Sequence, residues 1–179
     1  MIRPLSLADA PELFDLVDAN REYLRVWLPW VDASRSKADT LRFVRSSLRD
    51  FEAGRGMNCA VEEGGKICGI CGFYSIHRIA GAGVIGYWIA RSHQGRGLMT
   101  QACRELEGIG FEHFGLERIE IHIARENVAS LAVARRLGYT KVSTIRDAAW
   151  LHGQYVDHLV FSKCNPETFE KGALPRTEF

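Results

Sequence analysis

The apolar side chains of the first third of the chain recur at helical spacing. The first predicted helix follows Ser6, a residue type that commonly caps helices, with Asp9 near its first turn. A second short helix is predicted over residues 20–30, and a third ends at Gly54 and Gly56. The apolar positions of the first helix are Ala10, Leu13, Phe14 and Val17, and those of the third are Leu41, Val44, Leu48 and Phe51.

From residue 57 onward the pattern is mainly that of strands. The turn Glu62-Glu63-Gly64-Gly65 predicts a hairpin, and His152-Gly153 predicts another near the end of the chain. The clearest strand alternates Ile119, Ile121 and Ile123 with Glu120 and His122. The predicted strands are 57–61, 67–75, 84–90, 119–123, 141–145 and 156–162, with helices over 100–114 and 127–137.

This order of elements predicts one mixed α/β domain over residues 1–179. No segment repeats, and no linker divides the chain. Residues 166–179 have little apolar periodicity and are predicted to form a loose tail.

Composition excludes several functional classes. The 179 residues are 46% hydrophobic and 25% charged, as expected for a globular domain with a sizeable core. The net charge of +1 provides no basic excess for direct nucleic-acid binding. No apolar run approaches the roughly 18 residues of a membrane span. The N-terminus leads straight into patterned sequence, so we expect no signal peptide and a cytoplasmic location.

The five cysteines do not predict a metal or redox site. Cys68 and Cys71 have C-x-x-C spacing but lie in a predicted strand, where residues three apart point to opposite faces. No second pair accompanies them, so we expect no bound metal.

The segment Gln94-Gly95-Arg96-Gly97-Leu98-Met99-Thr100 joins a predicted strand to a predicted helix. A glycine-bearing turn at a helix start presents unpaired N–H groups, which bind anions and phosphates above all. A Walker-type loop would need Lys-Ser/Thr where Leu98-Met99 stands, and a dinucleotide fingerprint would need glycine at Thr100. The simpler alternative, glycines that only allow tight packing at a helix start, remains open.

A second strand-to-helix junction follows the isoleucine strand. Asn127-Val-Ala-Ser130 opens a helix that ends at Leu137-Gly138-Tyr139. Two such junctions in succession favour a ligand at the C-terminal ends of adjacent parallel strands. Asn127 serving only as a helix cap is the alternative at this position.

In order and spacing, these motifs resemble the GNAT superfamily of N-acetyltransferases, and within it the ribosomal-protein (RimJ/RimL-like) serine/alanine branch. The resemblance covers almost the whole chain. It implies a central, mostly antiparallel sheet of about six to seven strands, splayed between strands 4 and 5 and flanked by helices. The residues that carry it are Arg3-Pro-Leu, Gly86-Tyr87-Trp88-Ile89, 94–100, 127–130, 134–139, Gly153-Gln-Tyr155 and Asp157-His158.

The resemblance implies acetyl-CoA as the substrate and a primary amine as the acceptor. Trp88 and Ile89 would pair with the pantetheine arm, Asn127 would hold it from the other side, and Ser130 would protonate the leaving thiolate as general acid. It also implies a possible homodimer. The residues expected at the CoA pyrophosphate are Gln94, Gly95, Arg96, Gly97, Met99 and Thr100, with Arg96 offsetting phosphate charge.

The acceptor and the general base are less defined. A glutamate proposed as the base in one arm of the branch would fall at Ala149, which cannot take a proton. His122 or Glu120 could relay a proton if their strand face meets the cleft, and otherwise they are structural; Asp147 and His158 are weaker candidates. The missing carboxylate favours an α-amine, such as a ribosomal-protein N-terminus. The alternatives are a polyamine or antibiotic acceptor, or a CoA-binding module without turnover.

Two further expectations concern the surroundings of the reaction. Aromatic residues on the early helices, Tyr23, Trp27 and Trp30, either roof the acceptor cleft or belong to the core. Cys103 lies inside a predicted helix with no histidine placed to activate it, so we expect direct attack without an acyl-cysteine.

Overall fold

The structure is a computed structural model in which residues 1–167 are described, so the predicted loose tail lies almost entirely outside the described residues. The helices are α1 (Ala10–Ala19), α2 (Arg21–Leu24), α3 (Lys37–Glu52), α4 (Leu98–Gly108) and α5 (Val128–Arg136). The strands are β1 (Ile2–Pro4), β2 (Met57–Glu63), β3 (Lys66–His77), β4 (Ala82–Ile89), β5 (Arg118–Ala124), β6 (Thr140–Leu151) and β7 (Gln154–Cys164).

The seven strands form one sheet in the order β1-β2-β3-β4-β5-β7-β6. Every neighbouring pair is antiparallel except β4 and β5, which are parallel. The predicted fold class is therefore confirmed: a mixed α/β domain with a mostly antiparallel sheet.

The parallel pair separates partway along its length. Pairing runs from Ala82 opposite Arg118 to Ile85 opposite Ile121 and then stops. Both strands continue, β4 to Ile89 and β5 to Ala124. Beyond Ile85, β4 therefore has no partner strand on its β5 side. This splayed gap confirms the split expected between strands 4 and 5.

Helices cover both faces of the sheet. On one face α1 and α3 pack through Leu13 and Val44 against Ile70 of β3. On the other face α4 packs through Leu106 against Phe73 and Ile119. The isoleucines of β5 are at most 3% exposed, which explains the strict alternation in that strand. Within residues 1–167, no helix combines the length and apolar character needed to cross a membrane.

The N-terminal helices differ from the predicted boundaries. The predicted helix over 20–30 is only α2, followed by a 3-10 turn over Pro29–Asp32, because Leu28 before the proline adopts an extended conformation. Ser6 caps a 3-10 turn over Leu7–Asp9, and α1 begins after it. The predicted helix over 100–114 begins earlier, at Leu98. After Gly108 it continues as a π-helical segment over Ile109–His113.

The last two strands are much longer than predicted. β6 lies at the edge of the sheet and is exposed along most of its length, so it has no buried face to impose alternation. Its pairing with β7 is broken between Ile145 and Ala149, around Asp147 at φ 51°. The predicted hairpin at His152-Gly153 is confirmed, since both residues have the positive φ of a tight two-residue turn.

Candidate active site

The glycine-bearing loop before α4 exposes a row of free N–H groups. Gly95 and Gly97 have φ values of 71° and 78°, and a Cβ added to either would meet no atom within 4 Å. The glycines therefore serve backbone conformation rather than close packing, which answers the alternative left open above. No N–H from Gly95 to Thr100 donates a hydrogen bond to another group of residues 1–167. Such a nest at a helix N-terminus suits an anion.

The arginines near this loop are arranged differently from the expectation. The Arg96 guanidinium lies 2.6 Å from a carboxylate oxygen of Glu63, the last residue of β2, and does not line the cleft. Its predicted role in offsetting phosphate charge would require it to leave that ion pair. Arg136, at the end of α5, lines the cleft instead.

The opposite wall of the gap is the first turn of α5. Asn127 caps this helix, with its Oδ1 accepting from the Ser130 N–H at 3.1 Å. The Asn127 amide nitrogen and the Ser130 hydroxyl have no hydrogen-bond partner within the described part of the chain. Tyr87 of β4 spans the gap, since its hydroxyl donates to the Ser130 carbonyl oxygen at 3.2 Å. Asn127 can thus cap the helix and still donate into the cleft.

Two cavities meet at the splayed gap. The smaller, about 360 Å³, contains the loop residues Gly95, Gly97 and Thr100 and is called the loop cavity here. The larger, about 700 Å³, extends under α1 and α3 and is called the acceptor cavity. Their shared lining is Trp27, Leu28, Tyr87, Trp88, Asn127 and Ser130. A long molecule lying in the loop cavity would therefore present one end to the other cavity beside Ser130.

His122 faces the acceptor cavity and is oriented by its neighbours. Its Nε2 lies 3.0 Å from Glu120 Oε2, and its Nδ1 lies 3.5 Å from the Tyr74 hydroxyl. Glu120 also accepts from Arg118 at 2.9 Å. Burial raises the pKa of the Glu120 carboxyl, but hydrogen bonds from His122 and Arg118 outweigh burial and hold this pKa below its ordinary value. Glu120 is thus an ionised partner that can stabilise a protonated His122.

The other proton-transfer candidates are less suited to the task. His158 lines the acceptor cavity, and burial, followed by the charge of His122, lowers its pKa. Asp147 lines neither cavity. Burial, followed by Glu107, raises the pKa of the Cys103 thiol, so this side chain stays protonated and non-nucleophilic at neutral pH.

Aromatic residues of the N-terminal segment form a roof over the gap. Trp27 lines both cavities, and the Trp30 ring lies 6.3 Å from the Trp88 ring between centroids. Gln94 of the loop donates to the Tyr23 hydroxyl, and the Arg91 N–H donates to Asn20 Oδ1 at 2.9 Å. These contacts tie the roof to the loop that follows β4.

The structure brings most of the predicted site residues to one cleft. Trp88, Ile89, Gln94, Gly95, Gly97, Met99, Thr100, Asn127 and Ser130 line the loop cavity, and His122 lines the acceptor cavity. Met99 belongs to the core below the loop. Glu120 contacts the cleft only through His122. Among residues 1–167, no three His, Cys, Asp or Glu side chains are grouped to hold a metal ion.

Sequence reasoning gave no site role to three residues of the cleft: Tyr87, Tyr74 and Arg136. Tyr87 and Tyr74 lie on neighbouring strands whose alternation gave no sign of which face meets the cleft. By position, Arg91, Arg96, Arg135 and Arg136 could each offset phosphate charge, and only Arg96 was chosen, because arginines near helix ends are more often plain surface residues. The position of Arg136 at the end of the helix that follows Asn127 was the one sequence feature that could have indicated its place at the cleft.

The sequence matches known proteins over most of its length. The profile of the acetyltransferase (GNAT) domain family matches residues 1–140. A Bacillus subtilis (strain 168) protein named "Putative ribosomal N-acetyltransferase YdaF" is 31% identical over 163 residues, which are 90% of this chain and 88% of that protein. The ribosomal-protein-serine acetyltransferase of Escherichia coli (strain K12) is 26% identical over 151 residues, 84% of each chain.

Solved structures match the fold closely. RimL, a ribosomal L7/L12 α-N-protein acetyltransferase solved with coenzyme A, superposes with a TM-score of 0.88 at 28% identity, covering 91% of this chain and 92% of RimL. The microcin C7 self-immunity acetyltransferase MccE, solved with acetyl-CoA and AMP, superposes with a TM-score of 0.85 at 26% identity, covering 92% of both chains.

Proposed function

The chain belongs to the GNAT acetyltransferase family, and on that premise we propose that it transfers the acetyl group of acetyl-CoA to the α-amine at the N-terminus of a protein, such as a ribosomal protein. The observation that carries this proposal is the junction of the two cavities at Ser130. One cavity begins at the free N–H groups of the loop, and the other is open to an acceptor.

Acetyl-CoA fits the loop cavity by chemistry. The N–H groups from Gly95 to Thr100 would bind the pyrophosphate oxygens, and Arg136 would offset their charge. The pantetheine arm contains two amides and would pair with the unpartnered edge of β4 beyond Ile85, as an added strand would. The free amide nitrogen of Asn127 would donate to the arm from the other wall.

In the proposed reaction, the neutral amine attacks the thioester carbonyl carbon. A C–N bond forms, and a tetrahedral intermediate carries the negative charge on the former carbonyl oxygen. An N–H of the β4 edge near Ile89 would stabilise that oxyanion. The nitrogen loses a proton to His122 or to water, the C–S bond breaks, and the CoA thiolate takes a proton from the Ser130 hydroxyl, which regains one from solvent.

Of the two candidate bases, His122 and Glu120, His122 is better placed because it lines the acceptor cavity. Glu120 lies behind it, with Oε2 3.0 Å from His122 Nε2. As His122 takes a proton, the ionised Glu120 would stabilise the imidazolium. Glu120 is thus a positioning residue in this proposal, and Ser130 and His122 are the groups that touch the reacting atoms.

The α-amine is favoured over a lysine amine by its acidity. A peptide α-amine with a pKa near 7.8 is about 14% neutral at pH 7, whereas a lysine amine near 10.4 is about 0.04% neutral. Ala149 leaves no carboxylate where one arm of the family has a glutamate base. An amine that is already partly neutral can react with a weak base or with water, so the absence of a glutamate base fits an α-amine better than a lysine amine.

A second candidate is acetylation of a small amine, and the size of the acceptor cavity favours considering it. About 700 Å³ is enough for a drug-sized molecule. MccE, solved with AMP and acetyl-CoA, has the same fold. A CoA-binding module without turnover is the third possibility, and the free Ser130 hydroxyl beside the gap speaks against it.

Incubation of the purified protein with acetyl-CoA and a panel of amines tests the proposal, with thiol release and the mass of the product as readouts. The panel contains N-terminal peptides of ribosomal proteins, spermidine and an aminoglycoside. We expect a mass increase of one acetyl group at the peptide α-amine. Transfer only to the small amines would support the second candidate, and binding of acetyl-CoA without any transfer would support the third.

A ribosomal acceptor would locate the reaction in the cytoplasm, and we propose that location together with the acceptor. The homodimer implied by the resemblance stays a prediction. The molar mass from size-exclusion chromatography with light scattering would test it.

A further inference from the structure

We propose that the acceptor carries a large apolar or aromatic group on the carbon next to its reacting amine, and that the acceptor cavity is the pocket for that group. This inference rests on the proposed acetyl transfer, since it names the acceptor class of the same site.

The walls of the acceptor cavity are rich in aromatic side chains. Trp30 and Phe43 line the cavity and are 42% and 44% exposed. Leu13, Val17 and Ile70 form its floor. The further aromatic residues that line it are Trp27, Tyr74, Tyr87 and Trp88. A small polar group would leave this apolar surface in contact with water.

The charges around the cavity disfavour a polycationic acceptor. Asp39 is the one Asp or Glu among the lining residues, and its carboxylate already accepts from the Ser36 hydroxyl at 2.7 Å and the Arg35 N–H at 3.0 Å, and pairs with Arg42. Glu120, behind His122, is taken by His122 and Arg118. A second or third ammonium group of a polyamine or aminoglycoside would therefore be desolvated without a free carboxylate.

The aromatic walls begin at the reaction centre itself. Trp27 and Trp88 line both cavities, as does Ser130, so they lie where the acetyl group and the amine must meet. Trp30 contacts Trp88 and extends the wall into the acceptor cavity. A group one bond from the amine-bearing carbon would enter between these rings. In a peptide acceptor that group is the first side chain.

Four tetrapeptides that differ only in the first residue, Phe, Leu, Ser or Ala, test the inference. With saturating acetyl-CoA we expect kcat/KM for the Phe and Leu peptides to exceed that of the Ser peptide by at least about tenfold, as differential burial in an apolar pocket produces. Spermidine serves as the polycationic arm and should be the poorest acceptor. The same aromatic group can come from a protein N-terminus or from a small aromatic amine. Phenylalaninamide distinguishes the two, because its efficient acetylation supports a small amine as the acceptor.

A matched pair of variants on α3 tests the location of the pocket. Phe43→Ala should reduce the Phe-to-Ser preference about fivefold or more, since it removes an aromatic wall of the pocket for the first side chain. Phe51→Ala is the control, because Phe51 lies on the same helix at the same 44% exposure but lines neither cavity. It should leave kcat/KM unchanged for both the Phe and the Ser peptide.

A Ser or Ala peptide equal to or better than the Phe peptide would overturn the inference while leaving acetyl transfer intact. So would a Phe-to-Ser preference that Phe43→Ala does not alter, or spermidine as the best acceptor. Absence of transfer to every arm would instead overturn the proposed function, so the two failures are distinguishable.

Discussion

Lys163 is predicted to stabilise the fold strongly, because it neutralises the buried Glu107 carboxylate. Its ammonium donates to Glu107 Oε2 at 2.7 Å and to the Leu137 carbonyl oxygen at 3.0 Å, and lies 5.7 Å from the centre of the Tyr139 ring. Glu107 is 4% exposed. Its second oxygen and the Tyr139 hydroxyl have no partner among residues 1–167.

Lys163→Met would remove the cation and leave the Glu107 charge buried. Breaking a buried ion pair from one side costs about 3–5 kcal/mol. The lower end, about 3 kcal/mol, applies because the Lys163 side chain is 28% exposed and water can enter the space it leaves. With a urea dependence near 2 kcal/mol per molar, the midpoint of unfolding should fall by about 1.5 M.

Equilibrium urea unfolding followed by the fluorescence of the four tryptophans measures this shift. The double variant Glu107→Gln/Lys163→Met removes both charges and should recover all but about 1 kcal/mol. A midpoint shift below about 0.5 M for Lys163→Met, or a double variant no more stable than the single one, would refute the reasoning. Neither residue lines a cavity, so binding of acetyl-CoA to the folded variants should be unchanged.

Three further outcomes are expected. Ser130→Ala should lower kcat by about tenfold to a hundredfold and leave the Kd for acetyl-CoA unchanged by calorimetry, since only protonation of the leaving thiolate is lost; a weaker Kd with normal kcat would contradict this. His122→Gln should lower kcat/KM by about a hundredfold, because the group that takes the amine proton is lost, and an unchanged kcat/KM would exclude His122 as the base. Hydrogen bonds from Arg3, opposed by burial, hold the pKa of Asp9 below its ordinary value, so its stabilising effect is present above about pH 4 and is lost as the pH falls through the folded-state pKa. Asp9→Asn should therefore cost about 2 kcal/mol at pH 7 and much less in acid, and an equal cost at both pH values would show that charge is not involved.

Elements with one buried face could be predicted from the sequence, and elements without one could not. Ile119, Ile121 and Ile123 alternate because the core lies on one side of β5. β6 was underestimated because most of its residues are exposed, and its length depends on pairing with β7 rather than on burial. Local chemistry also revealed the loop, since positive φ at Gly95 and Gly97 requires glycine in the sequence itself.

Contacts between distant segments escaped sequence reasoning. Arg96 was expected on a phosphate, but it pairs with Glu63, 33 residues earlier, through the approach of the β2–β3 turn to the loop. The hydrogen bond from Tyr87 to Ser130 joins residues 43 apart. The pattern indicated that Glu120 and His122 share a face, but only the packing of α1 and α3 decides that this face borders a cavity. The hydrophobic pattern predicts which residues are buried, but it does not predict which polar face of a strand borders a cavity.

The unpaired stretch of β4 has a consequence for the solubility of the domain. A free strand edge is a template for another polypeptide, and proteins protect the outer edges of their sheets against such pairing. Here the outer edges are β1, only three residues long, and β6, whose pairing is interrupted around Asp147. The free edge of β4, residues 86–89, lies inside the sheet, within a cleft lined by Trp27 and Leu28. A slender extended molecule can reach it, whereas a strand from a neighbouring protein would first have to displace the roof. The same placement that prepares the edge for a ligand thus protects the domain from self-association through it.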